Sequence, residues 1–191
     1  MKYFKKIEDL PVLDIYSELN TMLKNGVVSF SQFNQISLNT IPSQTTNYNL
    51  GTGSLYYDYS SAIEIIDSDG STQVVPPKYE VPLQEEDFSI LCDQFKGTLF
   101  EELYNALSNK YKLGRVRIMK MEPRKCMSWH IDASPRLHFP IKTQKGCFMV
   151  IEDEIIHLPY SEWWMTDTTK NHTAFNASDT DRLHLVAAIL S

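Results

Sequence analysis

Cysteine is scarce in this 191-residue chain, and basic clusters and long apolar runs are missing. Cys92, Cys126 and Cys147 are odd in number and lack CxxC or CxH spacing. That excludes a disulfide framework and a structural zinc knot, and it sets a reducing compartment as the expectation. Cys126 and Cys147 are expected to be small buried apolar residues. No Lys/Arg block exceeds Lys5-Lys6 and the net charge is -6, which argues against a nucleic-acid partner. No run reaches membrane-spanning length, and Glu8 and Asp9 interrupt the N-terminal stretch before it could form the apolar core of a leader. The expectation is a cytoplasmic protein with no membrane partner. A GxSxG elbow, a P-loop, GxGxxG and HExxH are all absent, as is any internal repeat.

What is present suits one soluble domain, with 42% hydrophobic and 22% charged residues. Ile7 and Leu10, then Ile15, Leu19, Met22 and Leu23, give short amphipathic pieces split by Pro11, with Asp14 placed to cap the second. Residues 29–53 are rich in Ser, Thr, Asn and Gln and predict loops with a short strand or two. Aromatic residues in 54–59 predict a strand. Ile63-Glu-Ile-Ile and Thr72-Gln-Val-Val predict a hairpin turning at Asp69-Gly70. Beyond Pro82, the residues Phe88, Leu91, Phe95, Leu99, Leu103, Leu107 and Tyr111 recur at helical spacing, predicting a pair of packing helices divided near Gly97.

From Leu113 the pattern changes to period two. Candidate strands are 115–121, 126–132, 136–143, 146–152, 154–158, 161–166, 170–177 and 182–190, separated by turns such as Ala133-Ser-Pro and Ser178-Asp-Thr-Asp. Short strands in this number without intervening helices predict a mainly β fold with flanking helices. The closed form of such an arrangement is a double-stranded β-helix, that is, a cupin-like jelly roll. Residues 113–191 would form this core. Residues 1–112, helical and extended, would pack on the sheet and lengthen it, giving one compact domain overall.

Strand side chains alternate between faces. On that basis Ser128, His130 and Asp132 share a face, as do Arg136, His138 and Pro140. So do His172, Ala174 and Asn176, and likewise Arg182, His184 and Val186. Each strand thus gathers its polar residues on one side, as a barrel with a polar interior requires. Two histidines and a carboxylate that leave metal positions open are the ligand set of non-haem Fe(II) oxygenases. His130, Asp132 and His172 supply it. Arg182, ten residues past His172, could grip a distal carboxylate through two parallel hydrogen bonds. Arg136 and His138 are further candidates for cosubstrate or substrate contacts. Asn176 either orients a ligand or begins the turn before Ser178, and His184 is either an outer-layer partner of the metal site or an ordinary core histidine. Of Trp163 and Trp164, one is expected inward and one outward, packing the core or walling a substrate pocket. His157 lies outside the pattern.

Together these residues resemble the 2-oxoglutarate- and Fe(II)-dependent dioxygenases, and within them the aspartyl/asparaginyl β-hydroxylase-like branch, which includes free-proline hydroxylases. The resemblance rests on His130-Ile-Asp132, Arg136-Leu-His138, His172 after an acidic turn at Asp167, and Arg182. It covers residues 115–189. The His-to-Arg gap and the Arg-x-His element set the branch apart from the lysine-using prolyl hydroxylases and the nucleic-acid demethylases. The segment before His172 lacks the glycine-containing turn of the pattern. The resemblance implies a hydroxylase of an amino acid or of a peptide or protein side chain. It would use Fe(II), 2-oxoglutarate and dioxygen, with succinate and CO2 as co-products. The alternative from a different class is a cupin-like protein that binds a small molecule or metal without turnover, for which an anchor such as Arg182 has no purpose.

Overall fold

A computed structural model describes residues 1–190. The N-terminal part runs β1 (Phe4–Ile7), α1 (Ile15–Lys24), β2 (Gln35–Ser37), β3 (Asn39–Thr40), β4 (Ile63–Ile66), β5 (Thr72–Val75), β6 (Ile90–Leu91) and α2 (Leu99–Ser108). Then follow β7 (Leu113–Met121), β8 (Lys125–Cys126), β9 (Arg136–Lys142), β10 (Cys147–Ile151), β11 (Glu154–Ile156), β12 (Trp163–Thr166), β13 (His172–Asn176) and β14 (Arg182–Ile189). The larger sheet has the order β1-β12-β9-β14-β7-β2 and the smaller one β11-β10-β13-β8. From β7 onward the chain therefore crosses repeatedly between two facing sheets, and all pairings are antiparallel. This is the double-stranded β-helix expected from the period-two half of the sequence. Both flanks of the larger sheet are lengthened from the N-terminal region, by β1 on β12 and by β2 on β7.

The alternation read from sequence fixes which face is dry. Val116, Ile118, Leu137, Phe139, Ile141, Leu183, Leu185 and Ala187 point outward from the barrel into one cluster with Ile15, Leu19 and Met22 of α1 and Phe100, Leu103 and Leu107 of α2. Each fully buried large apolar side chain contributes about 1.5–3 kcal/mol. The polar partners on the same strands are thereby turned inward. α1 carries Glu18 in its first turn and Lys24 in its last, matching the helix dipole. Asp14 takes the N-cap position of α1 but makes no side-chain cap bond. In α2, Thr98 Oγ1 accepts from the Phe100 amide at 3.2 Å.

Three expectations need correction. The apolar stripe before Gly97 is not a helix: Phe88, Leu91 and Phe95 are buried from a sequence of 3-10 turns and β6. Strand pairing captures this stretch instead, with Ile90 and Leu91 opposite Thr40 and Asn39, and the Cys92 amide donates to the Leu38 carbonyl at 2.8 Å. Residues 54–59 do not form a strand. Asp58 there bonds the Ser60 amide at 3.0 Å and caps a 3-10 turn at Tyr59–Ser61. The second barrel strand stops at Cys126 rather than reaching Asp132, and only an isolated bridge, His130 with His172, continues it. The predicted hairpin does form, with β4 paired to β5.

Asn39 locks the N-terminal layer to the barrel. It is fully buried, donating Nδ2 to the carbonyls of Phe88 at 2.6 Å and Gly114 at 2.8 Å while Oδ1 accepts from the Val116 amide at 2.8 Å. Truncation strands three backbone groups at about 1–3 kcal/mol each. Asn39→Ala is therefore expected to lower unfolding free energy by about 3 kcal/mol or more, measured by urea denaturation.

Candidate metal and anion site

The inward faces of the strands surround a cavity of about 530 Å³. His130, Asp132 and His172 meet at its wall, with one potential ligand atom from each lying within 4.8 Å of the others. The register explains the meeting. His130 and His172 exchange backbone hydrogen bonds at 3.0 and 2.9 Å, and the Asp132 amide donates to the Thr168 carbonyl at 2.9 Å. Alternation survives from Trp129 onward although the ladder is broken after β8: Trp129 and Ile131 are exposed while His130 and Asp132 face the cavity, but Ser128, expected on the same face, is exposed and does not line it. The turn leading into His172 needs no glycine, because Thr169 Oγ1 donates to Asp167 Oδ1 at 2.5 Å and the Lys170 amide to the Asp167 carbonyl at 3.2 Å.

Hydrogen bonding assigns the imidazole tautomers. His130 Nδ1 lies 2.8 Å from the Ser128 carbonyl, and His172 Nδ1 lies 2.9 Å from the Lys170 carbonyl. A carbonyl can only accept, so each Nδ1 carries a proton, and in the neutral ring that tautomer leaves the Nε2 lone pair for a metal. His172 Nε2 stands 3.7 Å from Asp132 Oδ2. Burial holds the His172 imidazole below its ordinary value, and His130 beside it adds to the effect, although the Lys170 carbonyl and Asp132 oppose it. Two imidazoles and a carboxylate, with no thiolate, form a donor set suited to a divalent first-row metal.

Arg182 and His184 leave β14 side by side into the same cavity, and both are buried. The guanidinium lies against the imidazole, with Nε 3.0 Å from His184 Nε2 and Nη2 2.9 Å from Nδ1. Burial, then Arg182, pushes the His184 imidazole well below its ordinary value, and the same causes act on His138. Both rings are neutral. His138 Nε2 is buried without a hydrogen-bond partner among the described residues. Arg182 makes no salt bridge among the described residues, and burial brings its guanidinium down to about 10. A buried cation without an anion is expensive. Together with the free His138 nitrogen, it marks a place for an acidic, hydrogen-bonding ligand.

Sequence reasoning missed a second group. Arg115 and Arg117 alternate with Val116 and Ile118 on β7, so they face the cavity as the ligand strands do. The Arg-Val-Arg alternation was the available signal. Glu85, distant in sequence, gave none. It is clasped by Arg115, whose Nε donates to Oε2 at 3.2 Å and Nη2 to Oε1 at 3.0 Å. Burial alone would raise the Glu85 carboxyl, but Arg115 outweighs it and holds the group below its usual value. Gly114 makes this packing feasible, since a Cβ there would meet Glu85 Oε2 at 2.8 Å. Arg136 places Nε 3.1 Å from Asp132 Oδ2 and Nη2 3.5 Å from Glu85 Oε1. It thus braces the carboxylate that faces the two histidines.

Asn176 stands outside the cavity. Its Nδ2 donates to the carbonyls of Met121, Glu122 and Thr180, and its Oδ1 accepts from the Ser178 amide, so the amide clasps a turn and has nothing left for a ligand. Trp163 and Trp164 are both buried, in separate apolar clusters, and neither lines the cavity. His157 is occupied by the Cys147 carbonyl at 2.8 Å, away from the site. Cys147 is buried as expected, but Cys126, at the end of the short β8, is exposed.

A search of solved structures finds AviO1 from Streptomyces viridochromogenes Tue57 at 15% identity and a TM-score of 0.45, covering 99% of this chain and 90% of that one. It also finds an oxidoreductase of the 2OG-Fe(II) oxygenase family from Burkholderia pseudomallei at 10% identity and a TM-score of 0.39, covering 96% and 92%. Among curated proteins, the L-proline cis-4-hydroxylase of Rhizobium meliloti (strain 1021) is 34% identical over 76 residues. That stretch is 37% of this chain and spans only 27% of the relative's length. The family model described as Aspartyl/Asparaginyl beta-hydroxylase matches residues 83–191, the part that carries strands β7 to β14 and every residue of the metal and anion site. The chain belongs to the aspartyl/asparaginyl β-hydroxylase family.

Proposed function

We propose that this protein is an Fe(II)- and 2-oxoglutarate-dependent oxygenase that hydroxylates an amino acid or a peptide or protein side chain. One observation carries the reading: His130, Asp132 and His172 open onto the same cavity as Arg182, a buried cation with no anion of its own. The donor set and the unpartnered polar groups fit a ferrous ion and a dicarboxylate. When bound, iron and 2-oxoglutarate supply the oxidant from dioxygen, giving a hydroxylated product, succinate and CO2.

The protein's part is positioning and exclusion. His130 and His172 offer Nε2 because backbone carbonyls hold their Nδ1 protons, an arrangement that also fixes ring orientation. Arg136 holds Asp132 from behind. Arg182 receives the distal carboxylate of 2-oxoglutarate, and the neutral His184 keeps the guanidinium aimed without competing for it. His138 offers its free Nε2 to the bound acid. The 1–112 region is part of the same domain: β1 and β2 extend the larger sheet, and Phe33, Asn34 and Gln35 complete one side of the cavity. The protein's three free cysteines suit a reducing cytoplasm, and none of the described helices is long and apolar enough to cross a membrane.

The test is succinate release in air with Fe(II) and 2-oxoglutarate, screened over free amino acids and short peptides. The expected result is a low background that one class of substrate raises severalfold. Absence of succinate above a heat-denatured control for every compound would reduce the protein to a cupin-like binder.

A further inference from the structure

We propose that Arg117 is the anchor for a carboxylate of the substrate itself, so that the substrate is a small free amino acid and not a residue inside a protein chain. This rests on the oxygenase reading above. The cavity wall carries Arg115, Arg117, Arg136 and Arg182. Arg115 is matched by Glu85, and Arg136 by Asp132 with Glu85. Arg182 is taken by the cosubstrate. Arg117 alone is then left unaccounted for.

Its surroundings suit an anion. Arg117 is only 8% exposed, yet the sole hydrogen bond of its side chain among the described residues is from Nη1 to Gln35 Oε1 at 3.1 Å. Its Nε is buried without any partner, and no carboxylate lies within salt-bridge reach among the described residues. Burial, then the neighbouring Arg115, brings the guanidinium down to about 9, so it is still charged at neutral pH. An under-bonded charge persists in a folded interior where a ligand compensates it. The residue is also well placed. It sits on β7 opposite Val186 of β14 and Ser37 of β2, in the wall shared with Asp132 and Arg136.

Gln35 acts as a positioning residue: its Oε1 also accepts from the Gly53 amide at 3.1 Å, which fixes the fork of Arg117 toward the cavity. Size favours a small molecule. A cavity of about 530 Å³ lies at the low end of ligand sites and must also hold 2-oxoglutarate. A guanidinium buried in its wall is reached by a free α-carboxylate. The same group within a protein chain is an amide, which cannot answer a buried charge.

The test uses the anaerobic Fe(II)·2-oxoglutarate holoenzyme and calorimetry with the proteinogenic amino acids, each as free acid and as α-carboxamide. At least one free acid should bind, and should stimulate succinate release in air, while its carboxamide binds about 30-fold more weakly or worse. Arg117→Gln should lose the same factor for the free acid and still bind 2-oxoglutarate, with Arg117→Lys recovering part of the loss. The retained cosubstrate affinity reports that the variant is folded. The proposal is overturned if no free acid binds a holoenzyme that has taken up 2-oxoglutarate, or if acid and carboxamide bind equally. It is also overturned if Arg117→Gln abolishes 2-oxoglutarate binding, because Arg117 would then hold the cosubstrate. If the wild-type protein takes up no 2-oxoglutarate at all, the oxygenase reading itself has failed.

Discussion

His172→Ala is expected to leave a folded protein that no longer holds ferrous iron and releases no succinate above background. The fold should survive because the backbone of His172 does the structural work. Its amide and carbonyl pair with those of His130, and alanine makes the same bonds. Among the described residues the side chain makes one hydrogen bond, from Nδ1 to the Lys170 carbonyl, and β13 retains its pairing with β10 along its whole length. Loss of the Nε2 donor removes one of the protein ligands. Changes to outer partners of a metal site already cost about 10–100-fold in affinity, so removing a ligand should exceed about 100-fold. Equilibrium dialysis against Fe(II), with circular dichroism as the folding control, checks both halves. Unchanged iron affinity would remove His172 from the metal site.

Arg182→Met is expected to act with opposite signs on stability and function. Arg182 is buried, faces the neutral His184 and makes no salt bridge among the described residues. Replacing a buried ionic group by a well-packed apolar one of similar volume is often stabilising by about 1–4 kcal/mol. Arg182→Met should therefore raise the melting temperature of the ligand-free protein by roughly 2–4 °C per kcal/mol gained. The same variant should lose the response to cosubstrate. A ligand at about 100 times its dissociation constant stabilises by about 2.7 kcal/mol, and the wild-type protein should show such a shift with 2-oxoglutarate and metal. Removing one partner of a buried, hydrogen-bonded charge pair costs about 2–5 kcal/mol, enough to erase most of it. Thermal melts with and without 2-oxoglutarate separate the terms. A strand-end arginine with a purely structural role would do the reverse, lowering the ligand-free melting temperature and keeping the response.

The legible part of the fold was the part where period and face agree. Leu137, Phe139 and Ile141 against Arg136 and His138, and Leu183, Leu185 and Ala187 against Arg182 and His184, declare a dry outer face and a polar interior from the sequence alone. His130 and Asp132 kept that alternation even where β8 had ended, so the cluster could be read although the strand was overdrawn. Elsewhere, tertiary pairing overrode local pattern. The spacing of Phe88, Leu91 and Phe95 is helical, yet the backbone of Ile90 and Leu91 is claimed by β3. Asn176 shares a strand with His172, but its amide is consumed by the turn before Ser178 and by the Met121 and Glu122 carbonyls. Period alone cannot report where along a strand the cavity ends. Glu85 was invisible for a similar reason, because its meeting with Arg115 depends on the approach of a loop across Gly114.

Metal and dicarboxylate are expected to share one site, which binding under anaerobic conditions reports. Fe(II) and 2-oxoglutarate added together to the wild-type protein should produce a weak visible charge-transfer band that neither gives alone. The band should be missing from His172→Ala and from Arg182→Met at the same ligand concentrations. A wild-type protein that shows no such band, or variants that keep it in full, would rule out a shared metal and dicarboxylate site.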